Sequence, residues 1–282
     1  MEFKQFGKDG PRISAIGMGT YYDPLWILTG YLGWQRGAAE KLGALKAGLE
    51  LGMNLIDTAE VYRSEEIVGR AIRGMQRESL FIATKVMSNH LKANSVTKSL
   101  ESSLKRLGTS YVDLYQIHWP SQTVPIAETL GAMEKLAELG KVRYIGVSNF
   151  SLKQMIEARA ALKKLDLAST QMSYNLLDRK IEEDIIPYCR KEGLSILAYF
   201  PLAHGKLTKS EALLKVAEAH GKTSSQVALN WLADKDSVFP IPRASTAAHV
   251  RENAGSVGWQ LSEAEMVYLE SLRPPKVSPP VR

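Results

Sequence analysis

The sequence predicts an α/β fold of eight strand–helix units closed into a (β/α)8 TIM barrel, with an N-terminal β-hairpin capping the base. Three observations carry this. Short β-rich apolar runs alternate with amphipathic helical runs from end to end, the order that parallel pairing requires. There are eight such runs: "ISAIGMGT", "NLIDTA", "LFIATKV", "VDLYQIHW", "YIGVSN", "ASTQMSYN", "SILAYFP" and "SVFPIP". The 282 residues, 45% of them hydrophobic, supply a substantial core, and barrels of this size are routinely one domain. Residues 1–282 are therefore read as one barrel domain.

The elements follow in order. "EFKQFGKDGPRISAIG" reads as a hairpin with a Lys-Asp-Gly-Pro turn. "TYYDPLWILTGYLGWQRG" is aromatic, irregular and long for a βα loop, so it reads as a lid or substrate wall. "AAEKLGALKAGLELG" sets Leu42, Leu45, Leu49 and Leu51 on one stripe and stops at Gly52. "RSEEIVGRAIRGM" starts with Ser64 as a candidate N-cap. "NSVTKSLESSLKRLG" stops at Gly108, and "PIAETLGAMEKLAELG" opens on a proline and closes at Gly140. "SLKQMIEARAALKKL" begins with Ser151, and "IEEDIIPYCRKEG" carries Pro187 as a kink or break. "SEALLKVAEAHG" and "SSQVALNWLADK" form a helical pair before the last strand, and "LSEAEMVYLESL" closes the fold. The tail "RPPKVSPPVR" is too proline-rich for regular structure. An open doubly wound sheet is the competing architecture, but "AIGMGTYY" offers Gly17 and Gly19 without a third glycine or a helix start.

Composition narrows the function classes. One cysteine, Cys189, rules out an internal disulfide framework or a cysteine metal site, and no metal ligand set is expected. The opening "MEFKQFGKDG" has no apolar h-region and no apolar segment is long enough for a bilayer span. A reducing cytoplasm is the simplest home. Net charge is +6, but the basic residues are scattered among acidic and apolar neighbours. A solvated basic surface is the preferred reading, and a nucleic-acid binder the alternative, which would need a clustered basic face.

The ends of the apolar runs carry the chemistry. In a barrel these ends meet at one mouth, where active sites lie. Asp57 ends "NLIDTA", Lys85 "FIATKV", His118 "LYQIHW" and Ser148–Asn149 "YIGVSN". Gln171 lies late in "ASTQMSYN", Tyr199 late in "ILAYFP", and Arg243 follows "VFPIP". Each alone has an ordinary explanation: Asp57 as an N-cap, His118 as a core histidine, Lys85 as a snorkeller. A polar group at the end of nearly every run argues for a shared site.

"NLIDTAEVY", "FIATKV", "YVDLYQIHWP", "KVRYIGVSNF", "QMSYN", "AYFPLAHGKL" and "FPIPRASTAAHVRENAG" resemble the aldo-keto reductases in order, spacing and content, from Ile13 to Leu269. The resemblance implies a (β/α)8 barrel that reduces carbonyls with NAD(P)H. It maps a catalytic tetrad onto Asp57, Tyr62, Lys85 and His118. Tyr62 would be the general acid; a free tyrosine pKa of about 10 is high for this, and a nearby ammonium would lower it. Lys85 would supply that ammonium, Asp57 would pair with Lys85, and His118 would orient the substrate oxygen.

The same resemblance implies the cofactor contacts. Ser148, Asn149 and Gln171 would meet the nicotinamide carboxamide, Tyr199 would stack on its ring, and the loop through Pro201, Leu202, Gly205, Lys206 and Leu207 would wrap the pyrophosphate. Gly19, Thr20 and Asp57 would line the near side. Ile241, Pro242, Arg243, Thr246, His249, Glu252 and Asn253 would hold the adenosine end, with Arg243 on the 2′-phosphate. This chain departs from the family pattern at His249 (often arginine), Ala244 (often serine) and Phe200 (commonly serine). NADP(H) is the favoured cofactor and NAD(H) the alternative.

Tyr21, Trp26 and Trp119 are the expected substrate residues, with Tyr22 and Trp34 as further aromatic candidates. An aromatic pocket suits aldehydes, ketones or sugars. The reaction class follows from the resemblance; the substrate, its direction in the cell and the oligomeric state do not. The competing function is a non-catalytic NADP(H)-binding regulatory or channel-subunit-like barrel.

Overall fold

In the computed structural model, which describes residues 1–272, strand alternation builds the barrel directly. Ten strands occur: β1 (Phe3–Gln5), β2 (Arg12–Ser14), β3 (Met18–Gly19), β4 (Leu55–Asp57), β5 (Phe81–Val86), β6 (Val112–Ile117), β7 (Val142–Ser148), β8 (Leu167–Ser173), β9 (Ser195–Tyr199) and β10 (Val238–Pro240). β3 to β10 form one parallel eight-stranded sheet in sequence order. The sheet closes on itself: Gly17 N–H donates to Pro240 O at 2.9 Å and Gly19 N–H to Pro242 O at 3.1 Å, and Gly19 bridges Arg243 in parallel.

The seam explains two glycines that resemble a dinucleotide motif. A Cβ on Gly17 would lie 2.9 Å from Ile241 Cγ2, and one on Gly19 would lie 2.6 Å from Ile241 O. Only glycine lets the first and last strands approach this closely.

Successive side chains on a strand point to opposite faces. Leu55, Phe81, Ala83, Leu114, Leu197, Phe239 and Ile241 fill the barrel interior. Ile56, Ile82, Tyr115, Ile117, Ile145 and Ile196 belong to the outer core under the helices. Lys85 therefore follows Phe81 and Ala83 on the inner face, and Asp57 follows Leu55. The interior is apolar low down and polar at the strands' C-terminal ends.

The expected hairpin is present, with β1 and β2 antiparallel. It plugs the base: Phe6 packs on Phe81 at a 4.6 Å centroid distance and on Phe239 at 6.2 Å. Lys4 Nζ donates to Ala233 O and Lys235 O at 2.8 Å each. "ISAIGMGT" divides between β2 and β3 because its first part pairs within the hairpin.

Around the barrel run α1 (Pro24–Tyr31), α2 (Ala38–Glu50), α3 (Glu65–Ile72), α4 (Ala93–Leu107), α5 (Ile126–Glu138), α6 (Leu152–Ala161), α7 (Ile185–Glu192), α8 (Glu211–His220), α9 (Ser224–Ala233), α10 (Ala247–Ala254) and α11 (Glu263–Ser271). Gly108 ends α4 in the left-handed region, and Ser151 caps α6 through a capping box.

Several expectations need correction. Leu51 is exposed, because α2 ends before it. Pro125 stands at the N-cap of α5, one residue before the first turn. Pro187 lies in the first turn of α7, where its missing N–H costs nothing. Ser64 precedes α3, but its hydroxyl is taken by Thr20 and Thr58 and makes no cap bond. The proline-rich tail lies outside the described residues.

Candidate active site

Lys85 sits at the top of β5 and is completely buried. Its ammonium donates to both oxygens of Asp57, at 2.9 and 2.8 Å, and to the Thr58 carbonyl at 2.8 Å. All three ammonium hydrogens are thereby used. Gln171, from β8, donates its amide to Asp57 Oδ1 at 2.8 Å. Burial pulls the Lys85 pKa below its ordinary value, and the Asp57 carboxylate opposes that pull.

Tyr62 ends a single 3-10 turn, Glu60–Tyr62, just after β4. Its hydroxyl lies 3.3 Å from His118 Nε2, and Lys85 Nζ lies 4.8 Å from its ring centroid. The four sequence-predicted residues thus meet at one point. The electrostatics differ from expectation. Burial, with Asp57 adding to it, pushes the Tyr62 phenol well above the ordinary tyrosine range. Burial outweighs the lowering expected from Lys85.

His118 follows β6 and stacks on Trp119, with centroids 3.6 Å apart. Burial, and Lys85 second, push its pKa down to about 2. Its Nδ1 meets no hydrogen-bond partner among the described residues, so a protonated ring would bury an unpaired N–H. The imidazole is neutral throughout the physiological range.

These groups open into a cavity of about 860 Å³. Of the expected residues, Gly19, Tyr21, Asp57, Tyr62, His118, Trp119, Ser148, Asn149, Gln171 and Tyr199 line its strand-end half. Pro201, Leu202, Gly205, Ile241, Pro242, Arg243, His249, Glu252 and Asn253 line the rest. Several polar groups are already engaged. Ser148 donates its hydroxyl to Gln171 O at 3.0 Å. Asn149, at φ 61°, donates to His118 O at 3.0 Å and accepts from the Tyr199 hydroxyl at 2.7 Å.

Six expected residues stand outside the cavity wall, the fully buried Lys85 among them. Thr20 is buried behind it and donates to Asp57 O at 2.9 Å. Leu207 is buried in the core, and Lys206 points to solvent. Thr246 caps α10, accepting from His249 N–H at 3.2 Å. Trp26 is only 1% exposed, and its indole N–H donates to Tyr62 O at 3.1 Å. It supports the tyrosine's turn from behind and does not form a pocket wall. Tyr22 is likewise buried, and Trp34 is exposed.

The sequence reading left Phe200, His204, Thr208, Thr223, Ser224 and Ser225 unassigned, yet they too line the cavity. The Phe200 and His204 rings lie 3.9 Å apart, and both residues have left-handed backbone. A signal for the serine pair was present: "TSSQ" is a capping box that opens α9 with Thr223 as N-cap. A helix N-terminus there offers free N–H groups to an anion.

The aldo/keto reductase family model matches residues 16–274. The chain belongs to the aldo/keto reductase family. The methylglyoxal reductase YeaE of Escherichia coli (strain K12) is 37% identical over 96% of this chain and 94% of its own length. A glyoxal reductase of Bacillus subtilis (strain 168) is 34% identical over 83% of each chain. An aldo-keto reductase from Klebsiella pneumoniae, solved in complex with NADPH, superimposes with a TM-score of 0.88 at 35% identity, covering 99% of this chain and 98% of that one. This chain is an aldo-keto reductase, an oxidoreductase of the (β/α)8 type. Among the described residues no cluster of ligand side chains suits a metal ion, and no helix is long and apolar enough to cross a membrane.

Proposed function

We propose that this aldo-keto reductase reduces small aldehydes and ketones with NADPH, using Tyr62 as the proton donor. The observation that carries the reading is the Tyr62 hydroxyl held 3.3 Å from the neutral His118 imidazole at the mouth of the cavity, beside a buried Lys85–Asp57 pair.

The cavity's donor set fits a dinucleotide phosphate. About 860 Å³ is within the range of cofactor sites. At one end Arg243 and the α9 N-terminus supply charge and N–H groups suited to phosphate. At the other, Asn149 and Gln171 present amides and Tyr199 a ring face. Gly205, at φ 84°, has no atom within 4 Å of its Cβ position, leaving room for a ligand against the backbone between these ends. The NADPH complex of the Klebsiella relative supports the same choice.

When bound, the cofactor supplies hydride to the carbonyl carbon. The carbonyl oxygen would accept hydrogen bonds from the Tyr62 hydroxyl and the His118 Nε2–H, which would orient it. As negative charge develops on that oxygen, Tyr62 delivers its proton. The raised phenol pKa keeps that proton in place until it is needed. The Lys85 ammonium, 4.8 Å from the ring, stabilises the phenolate left behind. Trp119 and Tyr21 shape the substrate side. The names of the relatives, methylglyoxal reductase and glyoxal reductase, favour small dicarbonyls as substrates.

The test is NADPH oxidation followed at the nicotinamide band with methylglyoxal, glyoxal and larger aldehydes. Turnover with the small dicarbonyls supports the reading. Bound NADPH that no carbonyl oxidises in a single turnover would instead favour a non-catalytic binding barrel.

A further inference from the structure

We propose that the aromatic segment from Pro24 to Gln35 is a positioning clamp for Tyr62, with Trp26 and Gln35 as its working residues. The inference rests on the reading of Tyr62 as proton donor and extends it to residues that touch neither substrate nor cofactor.

The turn carrying Tyr62 has little internal support. It is one 3-10 turn, with Tyr62 N–H donating to Ala59 O at 3.0 Å. The next residue, Arg63, adopts φ 56°, a left-handed conformation that a non-glycine residue holds only when its surroundings fix it. On the barrel side the fixing group is Glu60. Its Oε2 accepts from Met87 N–H at 3.2 Å, and its Oε1 lies 2.7 Å from His90 Nδ1.

Beyond the Tyr21 ring against Tyr62 and the Ser64 hydroxyl bonded to Thr20 and Thr58, the backbone of the turn is held from α1 and the residues just after it. Trp26 donates its indole N–H to the Tyr62 carbonyl at 3.1 Å. Gln35 donates its amide to the Arg63 carbonyl at 2.8 Å. Tyr31 packs its ring against the Arg63 guanidinium, 4.0 Å from the centroid. Gly30 permits the approach, since a Cβ there would lie 2.9 Å from Arg63 Cβ. The two donors hold consecutive carbonyls, so they fix the two peptide planes flanking Arg63, the first of which contains the Tyr62 Cα.

Trp26 is itself anchored. Its backbone N–H donates to Asp23 Oδ1 at 2.8 Å, its ring meets Tyr22 edge-on at 5.1 Å, and Lys41 Nζ lies 4.8 Å from its centroid. A buried ring carrying one directed donor suits setting a position. The phenol must reach both an incoming carbonyl oxygen and His118, and a displacement of about 1 Å can cost on the order of a hundredfold in rate.

The test uses Trp26→Phe, which keeps an aromatic ring while removing the donor and part of the indole's volume, and Gln35→Ala, which removes the second donor. Each is measured for kcat, KM, the solvent deuterium isotope effect on kcat and NADPH binding by fluorescence. The expected result is a fall in kcat of about tenfold or more, a larger solvent isotope effect as proton transfer becomes limiting, and NADPH affinity within twofold of the parent. Unchanged kcat in both variants overturns the proposal. So does a lower kcat with an unaltered isotope effect, or a matching loss of NADPH affinity, because either marks general loosening. Tyr62→Phe is the control. If it retains full activity, the proton-donor reading fails; if it is inactive while both clamp variants turn over normally, only the clamp fails.

Discussion

Gln171 reaches across the barrel from β8 and donates its side-chain amide to Asp57 at the end of β4, 2.8 Å away. That bond gives the Asp57 carboxylate a second partner besides Lys85. It also uses an amide that the family resemblance assigned to the cofactor alone. Gln171→Leu removes the donor from a largely buried site at the cavity wall and leaves a carboxylate oxygen less satisfied. The expected cost is about 1–3 kcal/mol in urea unfolding. An unchanged unfolding midpoint would show that the bond contributes nothing to the fold.

His118 makes stability depend on pH with a definite sign. Its pKa in the fold is depressed to about 2, while an unfolded histidine titrates near 6.5. Between these values the unfolded chain binds a proton that the native chain does not, so stability rises with pH. The contribution is fully present above the unfolded value and is lost as pH falls, by up to about 1.4 kcal/mol per pH unit. Urea unfolding between about pH 7 and pH 5 should show this loss in the parent, with a flatter dependence in His118→Asn. Equal slopes would contradict the burial of a neutral imidazole.

Activity should follow a different pH dependence. With Tyr62 as the proposed proton donor, reduction needs its phenol protonated, and burial raises the phenol pKa. The protonated form therefore persists as pH rises, and activity should hold through the neutral range and past about pH 9. The measurement is the pH profile of kcat/KM for NADPH-dependent reduction. A falling limb near neutrality that disappears in Tyr62→Phe would show an acidified tyrosine instead.

Arg243 stands at the cavity's far end with Glu252, whose carboxylate accepts from Thr223 at 2.7 Å. Among the cavity-lining residues Arg243 carries the guanidinium suited to a 2′-phosphate. Arg243→Ala should weaken NADPH binding by about tenfold or more and NADH binding far less. Fluorescence titration with both nucleotides decides it. Equal losses would count against a 2′-phosphate contact.

The sequence made the strand ends legible because a buried barrel strand alternates and then stops at a polar residue. "FIATKV" carries Phe81, Ala83 and Lys85 on one face, so its lysine belonged inside the barrel. What it concealed depends on three-dimensional partnership. Ser64 looks like an N-cap, but two threonines from other segments take its hydroxyl. Trp26 looks like a substrate wall, but α1 turns it under Tyr62. The acidification expected of Tyr62 is outweighed by burial, a property of the packed site that the spacing of a lysine and a tyrosine does not reveal. Ser224 and Ser225 were visible as a helix start, but nothing in the sequence says which cavity that start faces.

The central claim is that the Tyr62 hydroxyl delivers the proton. Tyr62→Phe deletes that oxygen and preserves the ring that packs against Tyr21, 5.2 Å away. In single-turnover reduction of methylglyoxal by enzyme-bound NADPH, the account predicts a loss of about 10²–10⁴-fold in rate with NADPH affinity unchanged. A variant reducing methylglyoxal within a few-fold of the parent rate would contradict it.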